Sequence, residues 1–148
     1  MNEQSWSIKI NIVPQPKQST NFNKGGWAYT GSKKESYQSA VRHAIAVSQD
    51  LPEAPLEGPL LMHVTFCFPL TSADTKTKKK RQVLEDNGGW IWACSKRNDL
   101  DNLMKPVSDA LNSLVIVDDG HICSATLTKI KSVRPCIEIK ITKFGKVK

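Results

Sequence analysis

Five aspartates, Asp99, Asp101, Asp109, Asp118 and Asp119, crowd into one short stretch of a chain in which bases outnumber acids. Their spacing is suggestive. On a helix, Asp101, Lys105 and Asp109 stand at four-residue intervals and share one row. Asp99 sits at the helix entrance, Lys96 and Arg97 come just before it, and Asp118-Asp119 follow soon after the helix. Two carboxylates brought within about 4 Å repel by about 4 kcal/mol at an effective dielectric near 20, and a divalent cation removes that penalty. Magnesium takes carboxylate oxygens, keeps several waters and binds phosphate. It can activate a water for in-line attack on phosphorus, while a lysine one turn away supplies positive charge where negative charge grows. Structural readings exist for each part. Asp99 can cap a helix, Asp101 and Lys105 can form a surface ion pair, and Asp118-Asp119-Gly120 can be a turn. They do not explain why a basic chain gathers five acids here.

The elements that must position these residues are legible from periodicity. The apolar stripe Leu100, Leu103, Met104, Val107, Ala110, Leu111 and Leu114 predicts a helix over residues 100–114. Pro106 inside it predicts a kink or a displaced N-terminal turn, because proline removes one backbone hydrogen bond and crowds the preceding turn. An earlier helix opens at Ser32, where Ser32 and Glu35 form a capping box, and presents Tyr37, Ala40, Val41, Ala44, Ile45 and Ser48 to a core. Residues 7–13 alternate as a strand with Ile8, Ile10 and Ile12 on one side. In residues 60–68 Leu60, Met62, Val64, Phe66 and Phe68 face one way. Their partners Leu61, His63, Thr65 and Cys67 make the other face apolar enough to predict a central, doubly covered strand, with His63 partnered beneath that cover. Residues 121–130 and 136–142 read as two strands close enough to pair antiparallel, the first with Cys123, Ala125 and Leu127 on one face and the second with Ile137, Ile139 and Ile141 inward. Residues 14–26 read as a loop and 27–30 as a short strand or hairpin arm. The expected fold class is α+β: a two-layer domain, with a mixed sheet of four to five strands covered by two main helices.

Residues 71–97 read as a long basic loop carrying Lys76, Lys78, Lys79, Lys80 and Arg81, then Trp90, Trp92, Lys96 and Arg97. Loops of this length are usually functional or mobile. This one can grip phosphates and offer indoles to exposed bases, or residues 90–92 can form a short strand with their rings on the core. Residues 144–148 are a basic tail. The chain has 148 residues, the size of one domain. Its net charge of +7 and pI near 9.3 favour a polyanionic partner, nucleic acid before membrane. No apolar run approaches the roughly 20 residues needed to span a bilayer, and no signal peptide precedes the first strand; the expected location is the cytoplasm. The cysteines at 67, 94, 123 and 136 have no paired spacing, which argues against zinc and for buried, reduced thiols.

The run Arg97-Asn98-Asp99-Leu100-Asp101-Asn102-Leu103-Met104-Lys105, then Asp109-Ala110-Leu111-Asn112, then Asp118-Asp119 resembles the RusA family of Holliday junction resolvases. Pro16-Lys17, the Tyr37 helix, and Leu56-Glu57-Gly58-Pro59 ahead of a strand ending Phe66-Cys67-Phe68-Pro69 share the family's order. The resemblance implies a homodimeric, structure-selective endonuclease that cuts four-way DNA junctions by paired nicks with magnesium, or manganese in its place. Carried over by position, it implies Asp99, Asp101 and Asp119 as catalytic acids and metal ligands, Lys105 as the catalytic lysine, and Asp118 as a further candidate ligand. Lys17 joins the basic residues above as a candidate DNA contact. Asn98 departs from the proline or basic residue common there, and residues 71–92 are longer than in compact members. Two other functions remain open on the residues alone: a non-catalytic DNA-binding accessory protein, and a nuclease for other branched DNA.

Overall fold

The computed structural model describes residues 4–17, 21–22, 28–29, 32–95 and 98–144. Lys96, Arg97, the tail beyond Phe144 and the side chains of the Ser32–Glu35 box lie outside the described residues. In chain order the elements are β1 (Gln4–Ile10), β2 (Asn21–Phe22), β3 (Ala28–Tyr29), α1 (Ser32–Ala46), β4 (Leu60–Pro69), α2 (Lys78–Asp86), β5 (Trp90–Trp92), α3 (Leu100–Leu111), β6 (Ile122–Ser132) and β7 (Cys136–Lys143). β2 and β3 form a separate two-stranded ribbon; β2 falls in the stretch expected to be a loop, and β3 in residues 27–30, expected to be a short strand or hairpin arm. The other five strands make one mixed sheet in the order β1-β7-β4-β6-β5, in which only the β4–β6 pairing is parallel.

The expected two-layer α+β arrangement is present. Leu60, Met62, Val64, Phe66 and Phe68 of β4 and Ile137, Ile139 and Ile141 of β7 all enter one core, beneath Tyr37, Val41 and Ile45 of α1 and Leu103, Val107, Ala110 and Leu111 of α3. Burying a side chain of this size contributes about 1.5–3 kcal/mol over leaving it in water, so the stripe on α3 is what holds that helix to the sheet. Arg42 of α1 donates to the carbonyls of Ala110 and Asn112 at 3.3 and 2.9 Å, satisfying the last turn of α3.

Several expectations are corrected. The last two strands do not pair with each other; β4 lies between them, antiparallel to β7 and parallel to β6. β4 is the most apolar segment, so it takes the centre, and the chain from β6 to β7 passes over its end, where Cys67 meets the Arg134 carbonyl at 3.5 Å. The other face of β4 is only partly covered: His63 is exposed on it, Leu61 and Thr65 are half-buried, and Cys67 is buried. Cys123 and Ala125 are exposed too. Leu60 pairs with Ile122 and Leu61 with Ser124, so Cys123 is the extra residue of a bulge that shifts the strand's phase. Cys67 and Cys136 are buried free thiols as expected, whereas Cys94 and Cys123 are exposed.

The stretch expected to be a basic loop is folded. Residues Ser72–Thr75 form a 3-10 turn, α2 follows, and Gly88 and Gly89 turn the chain with φ of +74° and +91° into β5 on the sheet edge. Lysine side chains of β6 clamp both ends of the excursion: Lys131 bridges to Asp74 at 3.1 Å, and Lys129 donates to the carbonyls of Asn98 at 2.7 Å and Ser95 at 3.3 Å. The rings of Trp90 and Trp92 meet edge to face, 4.9 Å apart.

Candidate active site

The acid cluster is assembled by α3 and the turn after it. α3 begins at Leu100, with Asp99 at its N-cap in extended backbone geometry. A carboxylate at that position ordinarily accepts from the first-turn amides, but that of Asp99 makes no such bond. Asp101, one residue into the helix, is exposed and forms no ion pair among the described residues. The Asp101–Lys105 surface pair, the purely structural alternative for these residues, is not formed. Lys105 instead reaches Asp109 at 3.1 Å and Asp119 at 3.6 Å. The hydrogen bond that Lys105 donates to Asp109, then the charges of Asp109 and Asp119, hold the Lys105 ammonium above the ordinary lysine range. It therefore acts as a fixed cation, not as a proton acceptor near neutral pH.

Asp119 owes its place to long-range clamps. Leu56 donates its amide to Val115 at 2.7 Å and accepts from Val117 at 2.9 Å, holding the segment that leaves α3. Gly58 then donates its amide to Nδ1 of His121 at 2.8 Å, just past Asp119. Gly58 has φ +89°, a conformation that other residues rarely adopt. The two acids of the pair have different duties. Asp118 accepts from the amide of Gly120 at 2.9 Å and so caps the short 3-10 turn Asp119–His121, whereas Asp119 is left to face Lys105.

Near the other end of α3 the Lys17 amide lies 2.7 Å from the Asn102 carbonyl, next to Asp101. The remaining candidate DNA contacts, Lys76, Lys78, Lys79, Lys80 and Arg81, are exposed on and before α2. Lys80 and Arg81 turn back to the carbonyls of Ala73 and Thr75, at 3.0 and 2.9 Å, and so brace the preceding turn. Lys78, Lys79, Lys80 and Arg81 all begin the helix, where the macrodipole disfavours cations by about 0.3–1 kcal/mol each. Helix stability does not account for them.

Among the described residues no three acid, histidine or cysteine side chains converge into a ready cage for an ion. The structure brings Lys105, Asp109 and Asp119 together and puts Asp99 and Asp101 on the adjoining turn. Residues 10–142 match the family described as Endodeoxyribonuclease RusA. The chain belongs to the RusA family of endodeoxyribonucleases. It is also 32% identical over 98 residues, 66% of its own length and 67% of the relative's, to a Bacillus subtilis (strain 168) protein described as uncharacterized protein YqaN. As a RusA protein it is an endodeoxyribonuclease of the Holliday junction resolvase class, a class that acts on branched DNA and generally depends on a divalent metal. No helix among the described residues is long and apolar enough to cross a membrane.

The sequence noted Asp109 in the helical row without giving it a role. Its signal was the four-residue spacing to Lys105. Lys129, Gly58 and His121 left no such signal, because their contacts are with residues far along the chain.

Proposed function

We propose that this RusA protein is a magnesium-dependent nuclease of four-way DNA junctions, with Asp99, Asp101 and Asp119 as metal ligands and Lys105 as the charge-stabilising cation. One observation carries the reading: among the described residues the carboxylates of Asp99 and Asp101 have no partner, while the neighbouring lysine is held by two other carboxylates. The donor set fits the ion. It offers carboxylate oxygens without sulfur or imidazole, and magnesium commonly takes one or two carboxylates and completes its shell with waters and substrate phosphate. A closed protein cage is not required. The Lys105 ammonium, seated between Asp109 and Asp119, marks the spot as favourable to positive charge. Asp118, occupied by Gly120, is the weaker ligand candidate.

When bound, the ion supplies a polarised phosphate and an activated water. The chain's own residues do the rest. Lys105 places a cation beside the phosphate and opposes the negative charge that grows there during hydrolysis. Asp109 keeps that ammonium protonated and aimed along the row. Lys76, Lys78, Lys79, Lys80 and Arg81 on the α2 side, with Lys17, Lys96 and Arg97, recruit the sugar-phosphate backbone. A homodimer follows from the symmetry of the task, since paired nicks across a junction call for two sites related by a twofold axis.

The test is cleavage of a synthetic four-way junction with magnesium, with manganese and with EDTA, wild type beside Asp101→Asn. Cutting by wild type with either metal, none in EDTA, and loss of cutting with retained junction binding in the variant are expected. Normal cutting by Asp101→Asn removes that residue from the mechanism. Cleavage confined to flaps or forks reassigns the substrate to other branched DNA.

A further inference from the structure

In an α-helix the carbonyl of residue 102 is the natural acceptor for the amide of residue 106. Here residue 106 is a proline, buried within α3, and it has no amide hydrogen to give. The Asn102 carbonyl is nonetheless paired: the Lys17 amide donates to it at 2.7 Å. The vacancy left by Pro106 is thus filled by a segment from the other end of the chain. That segment is seated on α1 as well. Pro14 is buried, and the Gln15 backbone comes near the buried hydroxyl of Tyr37, which has no hydrogen-bond partner among the described residues. A short stretch is thereby held between the two helices and ends at an exposed lysine whose backbone is bonded one residue from Asp101.

We propose that Lys17 is a substrate-positioning cation that contacts a backbone phosphate of the cleaved strand, and that Pro106 is the positioning residue that keeps it there by leaving the Asn102 carbonyl free. The proposal rests on the nuclease reading above. It gives the proline a purpose that helix propensity cannot, since proline is the poorest residue for a helix interior. It also separates Lys17 from the α2 lysines, which have no backbone tie to the acid-bearing helix.

The test is Pro106→Ala, in which residue 106 regains an amide that competes for the Asn102 carbonyl while α3 keeps a good helix former. Hydrogen exchange at the Lys17 amide, measured on the free full-length protein, is expected to speed up by roughly tenfold or more. In junction nicking, Pro106→Ala and Lys17→Gln are each expected to raise KM by about five- to tenfold with kcat within twofold. Each should also flatten the dependence of log KM on log salt by about 0.9, the share of one phosphate contact. The double variant should be no worse than Lys17→Gln alone, and Lys17→Arg should restore KM. Unchanged Lys17 exchange in Pro106→Ala, or effects on KM that multiply in the double variant, overturns the proposal. Wild-type protein that cuts no branched DNA overturns the nuclease reading and the role of Lys17 with it. The exchange result, obtained without DNA, still distinguishes a failed clamp from a failed enzyme.

Discussion

Neutralising Asp109 should make the enzyme demand more magnesium. Its carboxylate and that of Asp119 share the Lys105 ammonium at 3.1 and 3.6 Å, so the two oxygens are at most about 6.7 Å apart by the triangle rule. The lysine side chain is 48% exposed and the acids 32% and 31%, so water screens the cluster heavily. Two consequences of Asp109→Asn point the same way. An exposed i,i+4 pair is worth about 0.3–0.5 kcal/mol, and that hold on Lys105 passes to Asp119, where the ammonium then competes with the ion. The lost negative charge also stood near the ion. For a divalent cation at about 6.7 Å in water the attraction is roughly 1.2 kcal/mol, reduced to roughly 0.5 kcal/mol by a Debye length near 8 Å. Together these amount to about 0.8–1 kcal/mol, or a roughly four- to fivefold rise in half-saturating magnesium. The assay is initial nicking rate against magnesium concentration, wild type beside Asp109→Asn. Because Asp109 is the main cause of the raised Lys105 pKa, the alkaline loss of activity should also move to lower pH in the variant. A half-saturating magnesium concentration that is unchanged or lower would refute the reasoning and reduce Asp109 to a surface partner of Lys105.

Two further outcomes test how the site is supported. Asp74→Ala removes the carboxylate that accepts from the Thr71 amide and hydroxyl at 2.8 and 2.9 Å and bridges to Lys131. It should cost about 1 kcal/mol and lower Tm by roughly 2–4 °C. The Thr71 amide, above all, lowers the Asp74 pKa, so its stabilisation is present above the ordinary carboxylate range and lost as pH falls through the folded value. Thermal melts of wild type and variant should therefore converge in acid, and a gap that persists there would sink the assignment. Lys129→Met withdraws the ammonium from the Ser95 and Asn98 carbonyls, with a cost of about 1.5 kcal/mol as for a charged hydrogen bond. In addition to that loss in chemical denaturation, kcat should fall, because Asp99 follows Asn98 directly; a variant with full kcat would show that this clamp does not position the acid.

What the sequence revealed and what it hid divide along the range of the interactions. The α3 stripe, the inward Ile137, Ile139 and Ile141, and the alternation of β4 are local periodicities, and the structure has them. The strand order is not local. Nothing within residues 121–142 says that β4 must intervene between β6 and β7, because that is decided by which strand is most apolar over its whole length. The phase of β6 was hidden by a single bulged residue, Cys123. Residues 78–86 carry too many lysines and too small an apolar face to announce a helix by burial, and no residue of α2 is buried. Its ends are instead set by Thr77, whose hydroxyl accepts from the Lys80 amide at 3.1 Å, and by the glycine pair. At the site, the row Asp101-Lys105-Asp109 was legible from spacing. The choice of Asp119 over Asp101 as the partner of Lys105 was not, since it depends on Leu56 and Gly58 clamping the chain on either side of Asp119.

The contrast between two aspartates states the case for function more sharply than the cluster as a whole. Asp118 and Asp99 both stand at N-cap positions in extended backbone geometry, one before a 3-10 turn and the other before α3. Asp118 does what such a residue ordinarily does and accepts from an amide of its own turn. Asp99 does not, although its helix is the longer and has more unsatisfied first-turn amides to offer. An available cap bond worth about 1 kcal/mol goes unused, two residues before Asp101, which is likewise without an ion pair among the described residues, and ahead of a lysine already taken by other acids. Natural sequences tend to satisfy local rules at every level and to break them where function requires it. The same exception recurs at the start of α2, where cations crowd the end of the helix that disfavours them. One departure leaves carboxylates open to a cation, and the other leaves Lys78 and Lys79 exposed to phosphate. A nuclease that must bring a metal ion and a polyanion to the same place has a use for both, whereas a protein that only binds DNA has a use for the second alone.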